Sequence, residues 1–363
     1  MLFLTYVRRC LPVSISVAAV VALLAGMSVA GETHGSATDK PASEAIPTPP
    51  AMPLVAPVSG KTGLTGAYYK IDDNSYAYYE KPTACGFLVN APLDIVDWLK
   101  DSFQKKNALT IAGLTVATGG LIAVDQDLYR VAQDAGRSLN ISADSKMGRA
   151  WPGSPIQYPT DFGSALYYLG DGMIPIFITV GMFSYGMVTS DIRSVQTSSQ
   201  LAEGLLSVAI VVQTIKRSTG RETPASSTQS GGRWRPFPSF SAFGSNTPKY
   251  DAMPSGHLAT GMMTITILAD NYPEYTLIRP IGYGLMTLLG FQMMNNGVHW
   301  ASDYPIALAI GYGLGKVAVS HGRKVVSAAD VPDKTSKNSL FTEMSLLPIP
   351  IKNGGALFMV AKF

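Results

Sequence analysis

The 363-residue sequence has few charged residues, few histidines and very few cysteines. Charged side chains make up 15% of it and the formal net charge is +3, so the composition gives no electrostatic case for nucleic-acid binding. Two cysteines are too few for a cysteine metal cluster. Only four histidines are present, so few imidazoles are candidates for acid–base or nucleophilic chemistry. The 47% hydrophobic share is compatible with a packed soluble domain and with a membrane protein.

The first 30 residues have the pattern of a secretory signal peptide. Arg8 and Arg9 form a basic region, and residues 13–27 form an almost uncharged apolar run. The Ser-Val-Ala sequence at 28–30 then supplies a small-x-small cleavage pattern before Gly31. We therefore predict that residues 1–30 are removed and that the chain is exported to the periplasm or membrane of a bacterial-type cell envelope. An uncleaved N-terminal anchor is the alternative.

Composition divides the rest of the chain into four segments. Residues 31–60 are rich in Pro, Ala, Thr, Ser and Gly and predict a disordered linker, and residues 61–107 form a tyrosine-rich, irregular lead-in. Between 108 and 325, apolar runs of helical type alternate with Gly, Pro, Asn, Asp and Ser clusters, which predicts an all-α helical bundle. No sustained strand-type alternation appears before the tail at 326–363. In that tail, the Asn-Gly-Gly turn at 353–355 favours a small β-hairpin.

The apolar runs do not decide between a compact bundle and a membrane-spanning one. Most are 11–18 residues long, whereas about 20 residues are needed to cross a bilayer. Several contain Gly and Thr, which close helix packing favours in water and in lipid alike. The sequence is therefore compatible with either architecture.

One histidine lies at a predicted helix N-terminus. Residues 254–257 read Pro-Ser-Gly-His and directly precede an apolar helical run. Ser255 followed by Gly256 at a helix start exposes backbone N–H groups, and the helix dipole favours an anion there. His257 is thus placed beside a predicted phosphate-binding site, although a plain helix cap would also explain Ser255.

A second histidine has a carboxylate four residues further on, since Asp303 follows His299 at that spacing. Such a carboxylate can accept a hydrogen bond from one ring nitrogen and leave the other as a nucleophile. A structural His–Asp pair is the alternative. Lys216 ends an earlier apolar run and is followed by Arg217 and Arg221. A cluster of this kind at a helix end is usually solvated charge that is favourable to the dipole.

Together these elements resemble the signature of the type 2 phosphatidic-acid phosphatase and vanadium haloperoxidase superfamily. That signature reads Lys-x6-Arg-Pro, then Pro-Ser-Gly-His, then Ser-Arg-x5-His-x3-Asp. Residues 254–257 match the second motif outright, and His299 and Asp303 match the end of the third. Lys216 stands at the required distance before Pro224 in the first. The resemblance covers roughly residues 160–320.

The resemblance implies a mechanism without a metal or another cofactor. His299 would attack phosphorus to form a phosphohistidine, Asp303 would orient it, and His257 would protonate the leaving group. The same resemblance implies that the phosphate is held by Lys216, Ser255 and backbone N–H groups near Gly256.

Three positions depart from the signature. Thr223 and Met293 stand where the family has arginine, and Gln292 stands where it has serine. Each arginine normally offers a charged fork to phosphate oxygens, and losing one charge-assisted partner costs about 1.5–3 kcal/mol. The segment 225–252 is a candidate lid. Nearby cations that are candidates to replace the missing charges are Arg217, Arg221, Arg233, Arg235 and Lys249.

The sequence thus predicts a phosphatase of the cell envelope that hydrolyses a phosphomonoester or diphosphate. By family analogy its substrate is lipid-linked, and membrane association is expected. The alternative is a catalytically weakened family member that binds phosphorylated lipid or acts as an envelope scaffold. A haloperoxidase is a more distant possibility, because vanadate binding depends on the same missing positive charges.

Overall fold

The computed structural model describes residues 57–59, 65–154, 156–331, 343–351 and 354–362. The predicted signal peptide and most of the predicted linker lie outside these ranges. Within them the chain forms nine α-helices. The helices are α1 (Gly86–Ser102), α2 (Ala108–Ser138), α3 (Phe162–Tyr168), α4 (Met173–Thr189), α5 (Ile192–Thr219), α6 (Phe240–Ser245), α7 (Gly256–Asn271), α8 (Ile278–Asn295) and α9 (Tyr304–Ser320).

The strands are short and all antiparallel. They are β1 (Pro57–Ser59), β2 (Thr65–Lys70), β3 (Ser75–Glu80), β4 (Met147–Arg149), β5 (Gln157–Pro159), β6 (Arg323–Ser327), β7 (Glu343–Ile351) and β8 (Gly354–Lys362). One sheet has the order β1-β2-β3-β6, and β4-β5 and β7-β8 form two separate pairs. The predicted all-α class is confirmed by the predominance of helices. The predicted small C-terminal hairpin is confirmed as well, because β7 pairs with β8 from Ile351 and Gly354 outward.

The tyrosine-rich segment is more regular than its sequence suggests. The expectation of an irregular lead-in without strands is wrong for β2 and β3, which pair from Gly66–Glu80 to Lys70–Tyr76. Ala67, Tyr69, Ala77 and Tyr79 alternate along the two strands and are buried against the bundle. Alanine carries little apolar signal and the strands are short, so the period of two was missed. The predicted segment boundaries themselves stay predictions.

A buried core lies where α5, α7, α8 and α9 meet. Helix α9 packs along α7, and α5 contacts α7, α9, α4 and α1. The core side chains are aliphatic or methionine, which fill such an interface without unpaired polar atoms. Fully buried examples, one or two from each helix, are Leu201, Val208, Met263, Leu289 and Leu314.

Two helix ends set the position of the motif residues. Helix α5 stops at Gly220, whose φ of +54° is the left-handed conformation and whose N–H donates to the Lys216 carbonyl at 2.8 Å. A side chain at Gly220 would lie 1.8 Å from the Arg235 carbonyl oxygen, so only glycine fits. Helix α7 starts after Ser255, whose Oγ accepts from the Leu258 N–H at 3.4 Å. The last turn of α5 and the first turn of α7 thereby carry the first two motifs.

Two helices in the described part of the chain are long and apolar enough to cross a membrane, namely Lys105–Ser138 and Ile192–Thr219. Helices α3 and α4, bent by 62° at a short break, make a third if they count as one span. Only 6% of the apolar window in the first is buried within the protein, against 61% in the second. Along α2, exposed apolar side chains include Leu109 at 87% and Val116 at 75%.

Candidate active site

The two motif histidines lie next to each other where α7 begins and the loop after α8 ends. Their ring centroids are 6.2 Å apart and their planes are inclined at 71°. His257 is in the first turn of α7, and its ring also packs on Tyr167 of α3 with centroids 4.7 Å apart. His299 precedes the short 3-10 helix Ala301–Asp303 and is 1% exposed.

The tautomer of His299 is set by a backbone carbonyl. Its Nδ1 lies 2.6 Å from the oxygen of Ala252. A carbonyl oxygen can only accept, so Nδ1 carries the hydrogen, and in the neutral ring Nε2 keeps its lone pair. Asp303 Oδ2 lies farther away, 3.4 Å from the same Nδ1. The geometry leaves Nε2 able to act as a nucleophile, with Ala252 as the closer orienting group and Asp303 as a nearby negative charge.

Asp303 is held by partners other than His299. Its Oδ2 accepts from the Trp300 N–H at 2.8 Å, and its Oδ1 lies 2.8 Å from Nη1 of Arg221. Both Asp303 and Arg221 are fully buried. Arg221 therefore fixes the carboxylate beside His299 and does not project toward the histidine pair as a free cation.

A second buried carboxylate completes the Arg221 network. Oδ2 of Asp125, a residue of α2, lies 2.6 Å from Arg221 Nη2. The other oxygen, Oδ1, accepts a hydrogen bond from the Ser302 N–H at 3.0 Å. Arg221 Nη1 also donates to the Ser302 hydroxyl at 2.6 Å. Sequence analysis did not single out Asp125. The available signal was an acidic residue directly after a long apolar run, which is costly to bury without a partner.

Lys216 lies in the last turn of α5 and is 5% exposed. Its Nζ is 2.8 Å from Oδ2 of Asp251, a residue that sequence analysis did not predict for the site. The other carboxylate oxygen, Asp251 Oδ1, is buried and has no hydrogen-bond partner. An anion that binds Lys216 therefore meets a neighbouring carboxylate that competes for the same ammonium group.

Ser255 and Gly256 link the first turn of α7 to the third motif. The Ser255 N–H donates to the Asp303 carbonyl at 3.2 Å, and both Ser255 and Gly256 are buried. This bond fixes the start of α7 next to the segment that carries His299. The N-terminal N–H groups of a helix have no partners in the helix itself and attract anions.

Burial shifts the proton equilibrium of His257 strongly. Burial, followed by the proximity of His299 and then of Lys216, lowers the pKa of His257 from 6.5 to about 3. Each of these causes disfavours the charged imidazolium. His257 is therefore neutral near pH 7 when no anion is bound.

Residues 198–325, from α5 through part of β6, match the family model of the PAP2 superfamily. This stretch of the chain belongs to the PAP2 superfamily. This match includes the positions of all three motifs. It supports a hydrolase of phosphoric esters in general.

Among solved structures, the chain is similar to a transmembrane PAP2-type phosphatidylglycerolphosphate phosphatase from Bacillus subtilis. The two share 15% identity with a TM-score of 0.33, over 64% of this chain and 94% of the other. No curated protein sequence matches the chain significantly.

The positions of the two missing PAP2 arginines are both buried. Met293 is fully buried in α8, and its sulfur lies 3.6 Å from the Ser255 hydroxyl, which donates to it. Thr223 is 6% exposed, and its N–H donates to the Pro248 carbonyl at 2.9 Å. The thioether of Met293 therefore contacts Ser255, the serine of the second motif, at the place where the signature has an arginine.

The other candidate replacement cations have different surroundings. The Arg217 guanidinium lies 4.2 Å from the Phe243 ring centroid. Arg235 pairs with buried Glu222. The hydrogen bonds to that Glu222, first from the Thr228 N–H, outweigh burial and lower its pKa to about 2. Arg233 is exposed and Lys249 is half-buried. The lid role predicted for residues 225–252 stays a prediction.

Proposed function

We propose that this PAP2 protein hydrolyses a phosphomonoester or diphosphate through a phosphohistidine formed on His299. The observation that carries the proposal is the state of the His299 ring, whose Nδ1–H donates to the Ala252 carbonyl at 2.6 Å. The Nε2 lone pair of this buried ring is thereby available, and a second imidazole, His257, lies 6.2 Å away between centroids. A positioned nucleophile beside a proton carrier is the arrangement that covalent phosphoryl transfer needs.

In the proposed reaction His299 Nε2 forms a bond to phosphorus while the bond from phosphorus to the leaving oxygen breaks. That oxygen takes a proton from the His257 imidazolium. Water then attacks the phosphohistidine, the phosphorus–nitrogen bond breaks, and neutral His257 takes the proton of the water. Because the pKa of His257 is about 3 without an anion, the negative charge of the bound substrate has to raise it.

The phosphate oxygens would be bound by Lys216, Ser255 and the N–H groups at the start of α7, including that of Gly256. These groups combine one ammonium with helix N–H donors, which suits an anion whose charge grows in the transition state. Asp251 Oδ2 lies 2.8 Å from Lys216 Nζ. This ion pair would have to open before Lys216 could bind the substrate.

We further propose that the substrate is lipid-linked and that the protein acts at the cell-envelope membrane. Helix α2 supports this, because its apolar window is 6% buried within the protein and its side chains include exposed Leu109 and Val131, at 87% and 63%. Apolar side chains that no described residue covers are expected at a lipid-facing surface. Placement in the envelope also depends on the predicted signal peptide.

Turnover tests the proposal directly. The full chain would be assayed with a panel of lipid phosphates, lipid diphosphates and soluble phosphate esters. We expect hydrolysis that His299→Ala abolishes and that His34→Ala, a histidine of the predicted linker, leaves unchanged. A labelled substrate should leave acid-labile, base-stable phosphate on the wild-type chain. Absence of His299-dependent hydrolysis of every ester at high protein concentration would overturn the proposal.

The second candidate function is phosphorylated-lipid binding or envelope scaffolding by a catalytically weakened family member. Two observations favour it. Met293 stands beside Ser255 where the signature has arginine. The Lys216 ammonium group already forms an ion pair with Asp251. Both reduce the positive charge available to a transition state. The same assays separate the candidates, because a binder retains phosphorylated lipid on His299→Ala and on wild type alike, without turnover.

A further inference from the structure

A second cluster of titratable side chains lies beside the middle of α5. Asp94 comes from α1, Glu203 from α5, and His321 follows the last residue of α9. Glu203 precedes Lys216 by 13 residues on the same helix, which at 1.5 Å per residue places it about 20 Å away along the axis. The cluster is therefore separate from the phosphatase site.

The ligand-type atoms of the three side chains converge. His321 Nδ1 lies 2.7 Å from Glu203 Oε1 and 2.9 Å from Asp94 Oδ1. The three donor atoms all lie within 4.8 Å of one another. Asp94 is fully buried and Glu203 is 1% exposed, whereas the His321 side chain is 29% exposed. The cluster is enclosed on the carboxylate side and reached from solvent past the imidazole.

Two acidic side chains in the cluster share one basic partner. Two carboxylates are buried here, and among the described residues His321 is the one cationic group that forms an ion pair with either. Its Nδ1 hydrogen bond goes to Glu203. Asp94 Oδ1 is buried, lies 2.9 Å from the same Nδ1 and has no hydrogen bond of its own. One imidazole nitrogen thus faces two buried carboxylate oxygens, and a metal ion in place of its proton would bind all three atoms.

The remaining oxygens already have partners. Asn90 donates to Glu203 Oε2 at 2.9 Å. The Ser207 hydroxyl lies 3.3 Å from Asp94 Oδ2 and shares its one hydrogen with the backbone carbonyls of Glu203 and Ala91. One oxygen of each carboxylate is thus fixed from outside, and the other faces His321. The His321 carbonyl accepts from two buried glutamines, which anchor its backbone. This arrangement of outer hydrogen bonds around inner donors is typical of metal sites.

We infer that Asp94, Glu203 and His321 bind a divalent first-row transition metal ion, with zinc as the best match. One imidazole nitrogen and two carboxylate oxygens form a donor set that zinc accepts, with water completing the shell. Bonds of about 2.1 Å place neighbouring ligand atoms roughly 3.0–3.4 Å apart. The present contacts of His321, 2.7 and 2.9 Å, need to open by only a few tenths of an ångström.

Such an ion would join three elements that are far apart in the chain. It would fasten α1 and the end of α9 to the middle of α5, and β6 follows two residues after His321. Because the ligands lie about 20 Å from the phosphate site, the inferred role is structural, and it does not depend on the proposed hydrolysis.

Metal binding by the full chain, purified without a polyhistidine tag, tests the inference. After dialysis against a chelator and removal of the chelator, Zn²⁺ would be titrated by calorimetry, with bound metal counted by elemental analysis. We expect one tightly bound Zn²⁺ per chain. We also expect thermal unfolding to shift upward by about 5 °C or more at a hundredfold excess over Kd.

Three variants locate the ion. His321→Gln, Glu203→Gln and Asp94→Asn should each weaken Zn²⁺ binding at least tenfold, whereas Asp72→Asn, an exposed carboxylate in the turn before β3, should leave it unchanged. If a cluster variant fails to fold, X-ray absorption of zinc-loaded wild type still decides. One imidazole among oxygen ligands supports the site, and any sulfur ligand or more than one imidazole overturns it. Absence of stoichiometric Zn²⁺, or binding unaffected by His321→Gln, overturns it as well.

Discussion

Nη1 of Arg221 lies 2.8 Å from Oδ1 of Asp303, and both side chains are fully buried. The same guanidinium contacts Asp125 at 2.6 Å, so one cation serves two buried carboxylates. The carboxylate beside the candidate nucleophile His299 is thus part of a network that links α2 to the third motif. Its position depends on Arg221 more directly than on the 3.4 Å contact with His299.

Removal of Arg221 should therefore destabilise the protein strongly. Arg221→Met leaves Asp125 and Asp303 buried without their cation, and breaking such a pair costs about 3–5 kcal/mol. We expect a loss of that size in the free energy of unfolding, measured by denaturant unfolding in detergent. The matched control is Arg130→Met, because Arg130 pairs with Asp127 on the surface. That variant should lose less than about 1 kcal/mol. Equal losses in the two variants would contradict the assignment.

The motif residues could be predicted from the sequence because their chemistry is local. Ser255, Gly256 and His257 are consecutive, and the spacing of His299 and Asp303 brings them within 3.4 Å through one turn of chain. The helical class followed from apolar runs bounded by turn residues. These signals depend only on near neighbours in the chain.

The partners of those residues could not be predicted, because they come from distant segments. Asp125 meets Arg221 across 96 residues, and the Ala252 oxygen meets His299 across 47. Arg221 illustrates the limit. The sequence indicated a cation near the site, but it did not indicate that carboxylates from two other segments would bind this cation. A backbone carbonyl such as that of Ala252 leaves no side-chain signal at all.

Asp251 should act as a competitor of phosphate. Asp251→Asn removes the negative charge 2.8 Å from Lys216 Nζ and keeps the side-chain shape. We expect inorganic phosphate to bind several-fold more tightly, with the gain reduced at high ionic strength. Asp73→Asn is the control, because Asp73 pairs with Lys70 on the surface. An unchanged or weaker phosphate affinity in Asp251→Asn would show that Lys216 does not bind the anion.

His257 should make stability depend on pH below neutrality. Its pKa falls from 6.5 to about 3 on folding, so between these values the unfolded chain binds a proton that the folded chain does not. The stability associated with neutral His257 is complete above pH 6.5 and decreases as the pH falls toward 3. At pH 5 the loss from this residue is about 2 kcal/mol. Unfolding measured at pH 7 and pH 5 checks it.

The comparison variant for that measurement is His257→Gln, which cannot titrate in this range. Its unfolding free energy should change less between pH 7 and pH 5 than that of wild type. Glu222 does not confuse the comparison, because the stability from its lowered pKa of about 2 is lost only below its ordinary value of 4.5, and equally in both proteins. Parallel slopes for wild type and His257→Gln would show that His257 is not buried in the neutral form.

The missing arginines give the sharpest test of catalysis. Met293→Arg with Thr223→Arg restores charged donors at the two positions where the PAP2 signature has them, one of them directly beside Ser255. A charge-assisted hydrogen bond contributes about 1.5–3 kcal/mol, so we expect kcat/KM to rise about 10- to 100-fold per arginine that reaches the transition state. His299→Ala in the same background should abolish turnover, and Met293→Leu should leave it unchanged.

Both positions are buried, and overpacking costs about 1–3 kcal/mol, so unfolding is measured in parallel. A fall in kcat/KM in a folded variant would mean that another cation already occupies the phosphate site, whereas tighter phosphate binding without turnover would favour the binding protein over the enzyme.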